Sequence, residues 1–392
     1  MNYSKHLGTL AITSVIMASL VGCGSNNNTE TEATISPYQR VAIMDGTWNE
    51  VPALAEKIAR YIVETDESVA LGYPSNWVIA GANPASGETF ENTDLLPIPA
   101  MGAAVTGKSR VIELCNGAYA TMATNTGRFH GSALPCELSV HSDGEKIYVD
   151  MLDPDAIFSV FFADLTQEQK DGLGAVASAV KGEIRGMVLA SLANDTHTSS
   201  TQALGPVWNS NDIERVSAES PYGIFSYKRK DGGTFKKGTD DKAIAHDIIT
   251  ALGTDASTAE NQVDGLSANS AWRSARPDPL AIPGVQVVEA CSPKYASMAT
   301  KLGNEYITAL PCEITVFVDE KDPTILTVSF LDPTFMFNVM FEGAVTNAVT
   351  NGILTPDEAA GYNTLASTVY ADLQTIVNHA LATGEYELVA QP

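Results

Sequence analysis

Basic residues are scarce in this sequence. Twenty-three Lys and Arg stand against 47 Asp and Glu, a formal net charge of −24. A chain this acidic is a poor partner for nucleic acid and is repelled by an anionic lipid surface. The acids are spread along the chain rather than blocked, so their plainest role is solubility. There is no CxxC, no phosphate-cradling glycine loop, no nucleophile elbow and no HExxH. The common signatures of thiol redox exchange, phosphate binding, serine hydrolysis and zinc proteolysis are therefore missing. Long apolar runs are missing too, apart from LGTLAITSVIMASLVG near the start. That run is too short, and too broken by Ser and Thr, to span a membrane stably.

The run ends in Leu20-Val21-Gly22-Cys23, which resembles the lipobox of bacterial lipoproteins. The resemblance implies a signal peptide over 1–22 and lipid attachment at Cys23. Gly24 stands where an Asp often marks inner-membrane retention, so the expected location is the outer membrane, facing the periplasm or the cell surface. The polar segment 23–35 reads as a flexible tether.

Five cysteines are few, yet four of them are placed with regularity. VIELCNGAYATMAT (111–124) returns as VVEACSPKYASMAT (287–300), with eight of fourteen positions identical. ALPCELSV (133–140) returns as ALPCEITV (309–316), and the interval between the two cysteines is 21 residues in each copy. Ser36-Pro37-Tyr38 returns as Ser220-Pro221-Tyr222, Trp77 as Trp272, and Leu152-Asp153-Pro154 as Leu331-Asp332-Pro333. The order is conserved and only loop lengths differ, so the chain holds two copies of one domain. They run over 36–193 and 220–388, joined by a polar linker over 194–219.

Within a copy, the pattern predicts strands at RVAIMDG, NWVIAG and VIELC, with residues 83–108 as a loop. Thr47 and Glu50 form a capping box before a stripe of Leu54, Ile58, Tyr61 and Ile62. CELSVH and KIYVDML form a hairpin around Asp143-Gly144. Asp153 and Asp332 cap short helices that begin with proline. Val176, Val180, Ile184, Val188 and Leu192 form one stripe of a long helix, and Leu365, Val369, Leu373, Val377 and Leu381 form its twin. The expected fold is α+β: two tandem copies of a small domain with a mainly antiparallel sheet and helices packed on it.

The candidate site residues are the repeated cysteines. Cys115 and Cys291 precede a helix N-cap, where the dipole and backbone N–H groups favour a thiolate. Cys136 and Cys312 alternate with apolar residues and should face the core. In an oxidising compartment, Cys115 with Cys136 and Cys291 with Cys312 are candidate disulfides. A soft-metal or redox site is the alternative, with Met122 and Met298 adding a thioether to each pair in a way that suits Cu(I). Two buried, unbonded cysteines are a third outcome. Glu113, Glu137, Glu289 and Glu313 flank these cysteines. A solvated strand face accounts for them, and an acid–base role is the sharper reading. Pro135 and Pro311 open strands, where a missing N–H does no harm. The histidines have no counterparts at repeated positions.

The run VIE-x-C-N-x-x-YA, then LPCE-[LI]-x-V, an Asp-Gly hairpin and an LDP triplet resembles the bacterial and archaeal domain of unknown function 302 (DUF302). The first copy carries Glu113, Cys115, Asn116, Ala120, Leu134, Pro135, Cys136, Val140 and Gly144 at the matching places. The second carries Glu289, Cys291, Pro293, Ala296, Leu310, Pro311, Cys312 and Val316. The resemblance implies a compact α+β fold and carries over no catalytic residue. It departs at Glu137 and Glu313, where the family often has a basic residue, and at the missing Asp-Gly turn of the second copy. The expected function is a lipid-anchored envelope protein, a binding or accessory module for an unknown envelope protein or small ligand. No cofactor and no self-contained catalysis are expected. An enzyme site near Trp77 and Trp272, or across the domain interface, has no constellation behind it.

Overall fold

Each repeat is one antiparallel sheet with helices on one face. The computed structural model describes residues 34–64, 77–79, 109–134, 136–217, 220–253, 263, 266, 272–274, 278–309, 312–381 and 385–390. Cys23, the signal segment, the loop over 83–108, Leu310, Pro135 and Pro311 lie outside the described residues. Residues Ala33–Pro392 form one compact unit, so the two repeats are parts of a single body.

The first repeat runs β1 (Tyr38–Asp45), α1 (Val51–Glu64), β2 (Trp77–Ile79), β3 (Ser109–Asn116), α2 (Gly117–Thr126), a 3-10 turn (Arg128–Ala133), β4 (Cys136–Ser142), β5 (Lys146–Leu152), α3 (Pro154–Phe161) and α4 (Gln167–Ser191). The expected hairpin is present, with Gly144 at a positive φ of 106°. The helix starts obey their caps. Thr166 and Gln169 close a capping box, and Asp153 accepts from the Asp155 N–H. The predicted stripe of α4 is buried along its length.

The expected linker is not a free connector. Its residues build β6 (His197–Ser199), β7 (Ala203–Leu204) and α5 (Ser210–Ser217). Both strands pair with β1, so the sheet order is β2-β3-β4-β5-β1-β6 with β7 beside β1. Strands of two or three residues show no readable period, and edge positions stay polar because they face water.

The second repeat follows the same path through β8 (Tyr222–Arg229), α6 (Asp240–Leu252), β9 (Arg273–Ser274), β10 (Leu280–Ile282), β11 (Val285–Cys291), α7 (Pro293–Leu302), a 3-10 turn (Asn304–Ala309), β12 (Cys312–Val318), β13 (Leu326–Leu331) and α8 (Pro333–Met340). Then come α9 (Ala344–Thr350), α10 (Pro356–Tyr362), α11 (Leu365–Leu381) and β14 (Tyr386–Ala390). Its sheet order, β10-β11-β12-β13-β8-β14, mirrors the first. The single α4 of the first repeat corresponds to α10 and α11 together, and the predicted stripe lies buried on α11.

The repeats exchange contacts reciprocally. The 3-10 turn of the first packs over β12 and β13, and that of the second packs over β4 and β5. Ser132 reaches Thr315 Oγ1 and Ser329 Oγ, both at 3.0 Å, in a buried site. Gly131 fits there because a Cβ would come within 3.0 Å of the Thr315 side chain. The repeated Ser-Pro-Tyr tripeptides complete the exchange. Tyr38 donates its hydroxyl to the Met340 carbonyl at 3.1 Å, and Tyr222 donates to the Phe161 carbonyl at 2.8 Å. Each ring meets an aromatic of the partner repeat, Tyr306 against Tyr38 and Phe129 against Tyr222.

Removing one of these buried hydroxyls leaves a carbonyl without its donor. Tyr38→Phe and Tyr222→Phe should each cost about 1 kcal/mol. Urea denaturation should read this as a lower midpoint at an unchanged slope, because the repeats unfold together.

Candidate functional site

The site of each repeat forms where β3, or its counterpart β11, ends and a helix begins. In the first, β3 ends at Cys115-Asn116, and the Asn116 side chain accepts from the N–H groups of Ala118 and Tyr119. In the second, β11 ends at Cys291, and Ser292 accepts from the Tyr295 N–H at 3.5 Å. Such caps fix the first helical turn, and that turn sets Tyr119 or Tyr295 beside the repeated tryptophan.

The tryptophan and tyrosine converge on one acid from the long helix. Trp77 Nε1 donates to Glu183 Oε2 at 2.9 Å, and the Tyr119 hydroxyl donates to Glu183 Oε1. In the second repeat, Trp272 Nε1 and the Tyr295 hydroxyl both donate to Asp372 Oδ2, at 3.1 and 2.8 Å. Sequence reasoning missed Tyr119, Tyr295, Glu183 and Asp372. The tyrosines stood in the repeated segment. The acids lie three residues after Val180 and Val369 of the aligned stripes, but the Glu–Asp difference hid their equivalence.

The cysteines stand as thiols next to this triad. Cys115 and Cys291 are buried. The register sets Cys136 opposite Leu114 and Cys312 opposite Ala290, so neither cysteine pair is directly opposed across the ladder. Burial pushes the Cys136 and Cys291 thiols well up, and the neighbouring acid or thiol adds to the rise. Cys312 is pushed up to about 12, again by burial first and Glu313 second. A helix N-terminus was expected to favour the thiolate. At Cys291 the Ser292 N–H does pull downward, but it is the smallest influence and burial wins.

Met122 is about half exposed, and Met298 packs partly buried against the core. Neither lines the cavity beside its cysteines. Among the described residues, no three of His, Cys, Asp and Glu are placed to hold a metal ion.

The four glutamates are not a solvated face. Glu113 pairs across the ladder with Glu137, and Glu289 with Glu313, and all four are buried. The two pairs meet where the repeats face each other. Burial raises the Glu113 carboxyl well above the usual range, and the nearby acids Glu289, Glu313 and Glu137 add to the rise. Burial also raises Glu137 and Glu313, with the acids of the other pair adding to the rise at Glu137 and Glu289 adding to it at Glu313. Alternation put these residues on one face of each strand. Only the packing of sheet against sheet removed the water from that face.

One charged group belongs to the first repeat alone. The buried Asp150 accepts from Arg40 Nε at 2.8 Å and meets His141 Nε2 at 2.7 Å. Burial pushes this carboxyl up, but His141 and Arg40 together bring it below the usual range. The second repeat has Phe317 and Ser329 at the places of His141 and Asp150.

The fold and these repeated sites define a tandem α+β protein with two equivalent pockets. The model of the family described as Domain of unknown function DUF302 matches two segments, residues 100–190 and 278–353, one in each repeat. No curated protein matches the chain. A solved structure, the crystal structure of the di-domain ARO/CYC BexL from the BE-7585A biosynthetic pathway, is similar at 12% identity. It covers 88% of this chain and 98% of that one at a TM-score of 0.18, which carries no argument.

The glutamate cluster sets a pH dependence. Carboxyls raised in the folded state hold protons that the unfolded chain releases above about pH 4.3. Their stabilisation is complete below that value and is lost as pH rises toward the folded values, at about 1.4 kcal/mol per pH unit for each proton held. Glu113→Gln removes one such proton, so its stability should fall less than wild type between pH 5 and pH 8. Denaturant midpoints across that range check this, and parallel slopes would contradict it.

Proposed function

We propose that this chain is an envelope protein, lipid-anchored through Cys23 and facing the periplasm from the outer membrane. Its two DUF302-like repeats form one binding or accessory module without catalysis of its own. The observation that carries the binding reading is the recurrence of one walled cavity, lined by Trp, Tyr and two cysteines in each repeat, with the Trp and Tyr held from outside it by an acid of the long helix. In the second repeat the indole and the phenol are committed to Asp372, and burial holds Cys291 and Cys312 as thiols. This suits a wall that receives a ligand better than a nucleophile that attacks one.

The reading has two tests. Cys23→Ser should abolish incorporation of radiolabelled palmitate and release the protein from the membrane fraction. Apolar fragments should raise the melting temperature of the purified protein, while ester, phosphate-ester and disulfide-reduction assays show no turnover. Turnover that disappears in Cys291→Ser would overturn it.

Thiol-based Cu(I) binding is a second reading, favoured by one observation: both sulfurs of each repeat line the same cavity. Anaerobic Cu(I) titration of reduced protein decides it. Binding lost in Cys115→Ser plus Cys291→Ser supports this reading, and no binding by wild type removes it.

A further inference from the structure

The two cavities share their walls but not their size. Trp77, Tyr119, Cys115, Cys136, Phe158 and Val180 line the first. Trp272, Tyr295, Cys291, Cys312, Phe337 and Val369 line the second in the same order. The first holds about 20 Å³ and the second about 90 Å³. One substitution between the copies contributes directly to the difference. Leu114 fills the first cavity, and its counterpart is Ala290, which opens the second. An engineered apolar cavity of about 150 Å³ accepts benzene, so the second has room for much of one ring. The first has room for about one water.

The chemistry of the second cavity is one-sided. Its walls are almost wholly apolar, with Trp272, Tyr295, Phe337 and Phe341 among them, and no Lys, Arg or His lines it. The indole N–H and the Tyr295 hydroxyl point to Asp372. Glu313 lines the cavity, and its buried Oε1 has no hydrogen-bond donor. Behind it, a cavity of about 30 Å³ brings Glu313 and Glu137 to the same space between the repeats. An anion entering here meets only acids. A donor with positive charge meets an unfilled acceptor, aromatic faces and an excess of carboxyls. An amine and a carboxyl together also bring no net charge into the core.

We infer that the second repeat binds a compact apolar amine, with its ring or alkyl group in the cavity beside Ala290 and its nitrogen on Glu313, and that the first repeat does not. This rests on the binding reading above and adds the class of ligand and the copy that takes it. It is tested with three probes of one ring and different charge: 4-fluorobenzylamine, 4-fluorobenzyl alcohol and 4-fluorobenzoate. Fluorine NMR on the full chain should show one equivalent of amine bound, the alcohol about tenfold weaker, and no benzoate. Ala290→Leu, the side chain the first repeat already accommodates, should abolish binding of the amine and the alcohol. Glu313→Gln, nearly isosteric, should remove the preference for the amine and spare the alcohol. Near-UV circular dichroism verifies folding of each variant. If the alcohol or the benzoate binds as well as the amine, and Ala290→Leu abolishes it, the amine inference falls and the binding reading stands. Amine binding that survives Ala290→Leu places it elsewhere and overturns the inference. If no probe binds wild type, both fall.

Discussion

The structure depends on the reciprocal seating of each repeat on the other's sheet. Two 3-10 turns and two tyrosines cross between the repeats, each ending on the other copy. That exchange covers the face of each sheet that its own helices leave open. An antiparallel sheet can keep one face in water, and here neither does. Covering that face is costly, because it carries Glu, Ser, Thr and Asp side chains. Some are reconciled by hydrogen bonds across the interface, as at Ser132 with Thr315 and Ser329, and Asp150 by Arg40 and His141 of its own repeat. Glu113, Glu137 and Glu313 are reconciled by protonation, each raised first by burial and then by other acids of the cluster.

This arrangement changes what the cysteines can do. A thiol at a helix N-terminus in water would be activated. The same thiol sealed behind a second sheet is not, because desolvation acts on its whole charge while the cap supplies one N–H. The same sealing turns the tryptophan and tyrosine into fixed walls. Their hydrogen-bonding ends are occupied by Glu183 or Asp372, so their apolar faces are what a visitor meets. Duplication then let the copies diverge. A Leu-to-Ala difference, at 114 and 290, contributes directly to making one cavity filled and the other open.

Much of the fold was legible in local pattern. The strands of the long hairpins, the Asp153 and Asp332 caps and both buried stripes are products of neighbours in sequence. The strands of 194–219 were not legible, since two or three residues carry no period. Part of each site was visible, as the repeated Trp and Cys, and the Tyr stood unremarked in the same repeated segment. The acid that joins them was hidden, because it comes from a helix 64 or 77 residues away from its tyrosine.

Pattern along the chain is enough to reveal the duplication, the alternation that sets Glu113 and Cys115 on one strand face, and the caps that end each strand at its cysteine. These follow from backbone geometry over a few residues. Packing between distant elements settles that the glutamate face is dry, that the Cys136, Cys291 and Cys312 thiols are raised, and that one cavity is open. Each of those depends on what packs against a residue from the other repeat or from a distant helix, and burial, unlike periodicity, cannot be read from neighbours in the chain.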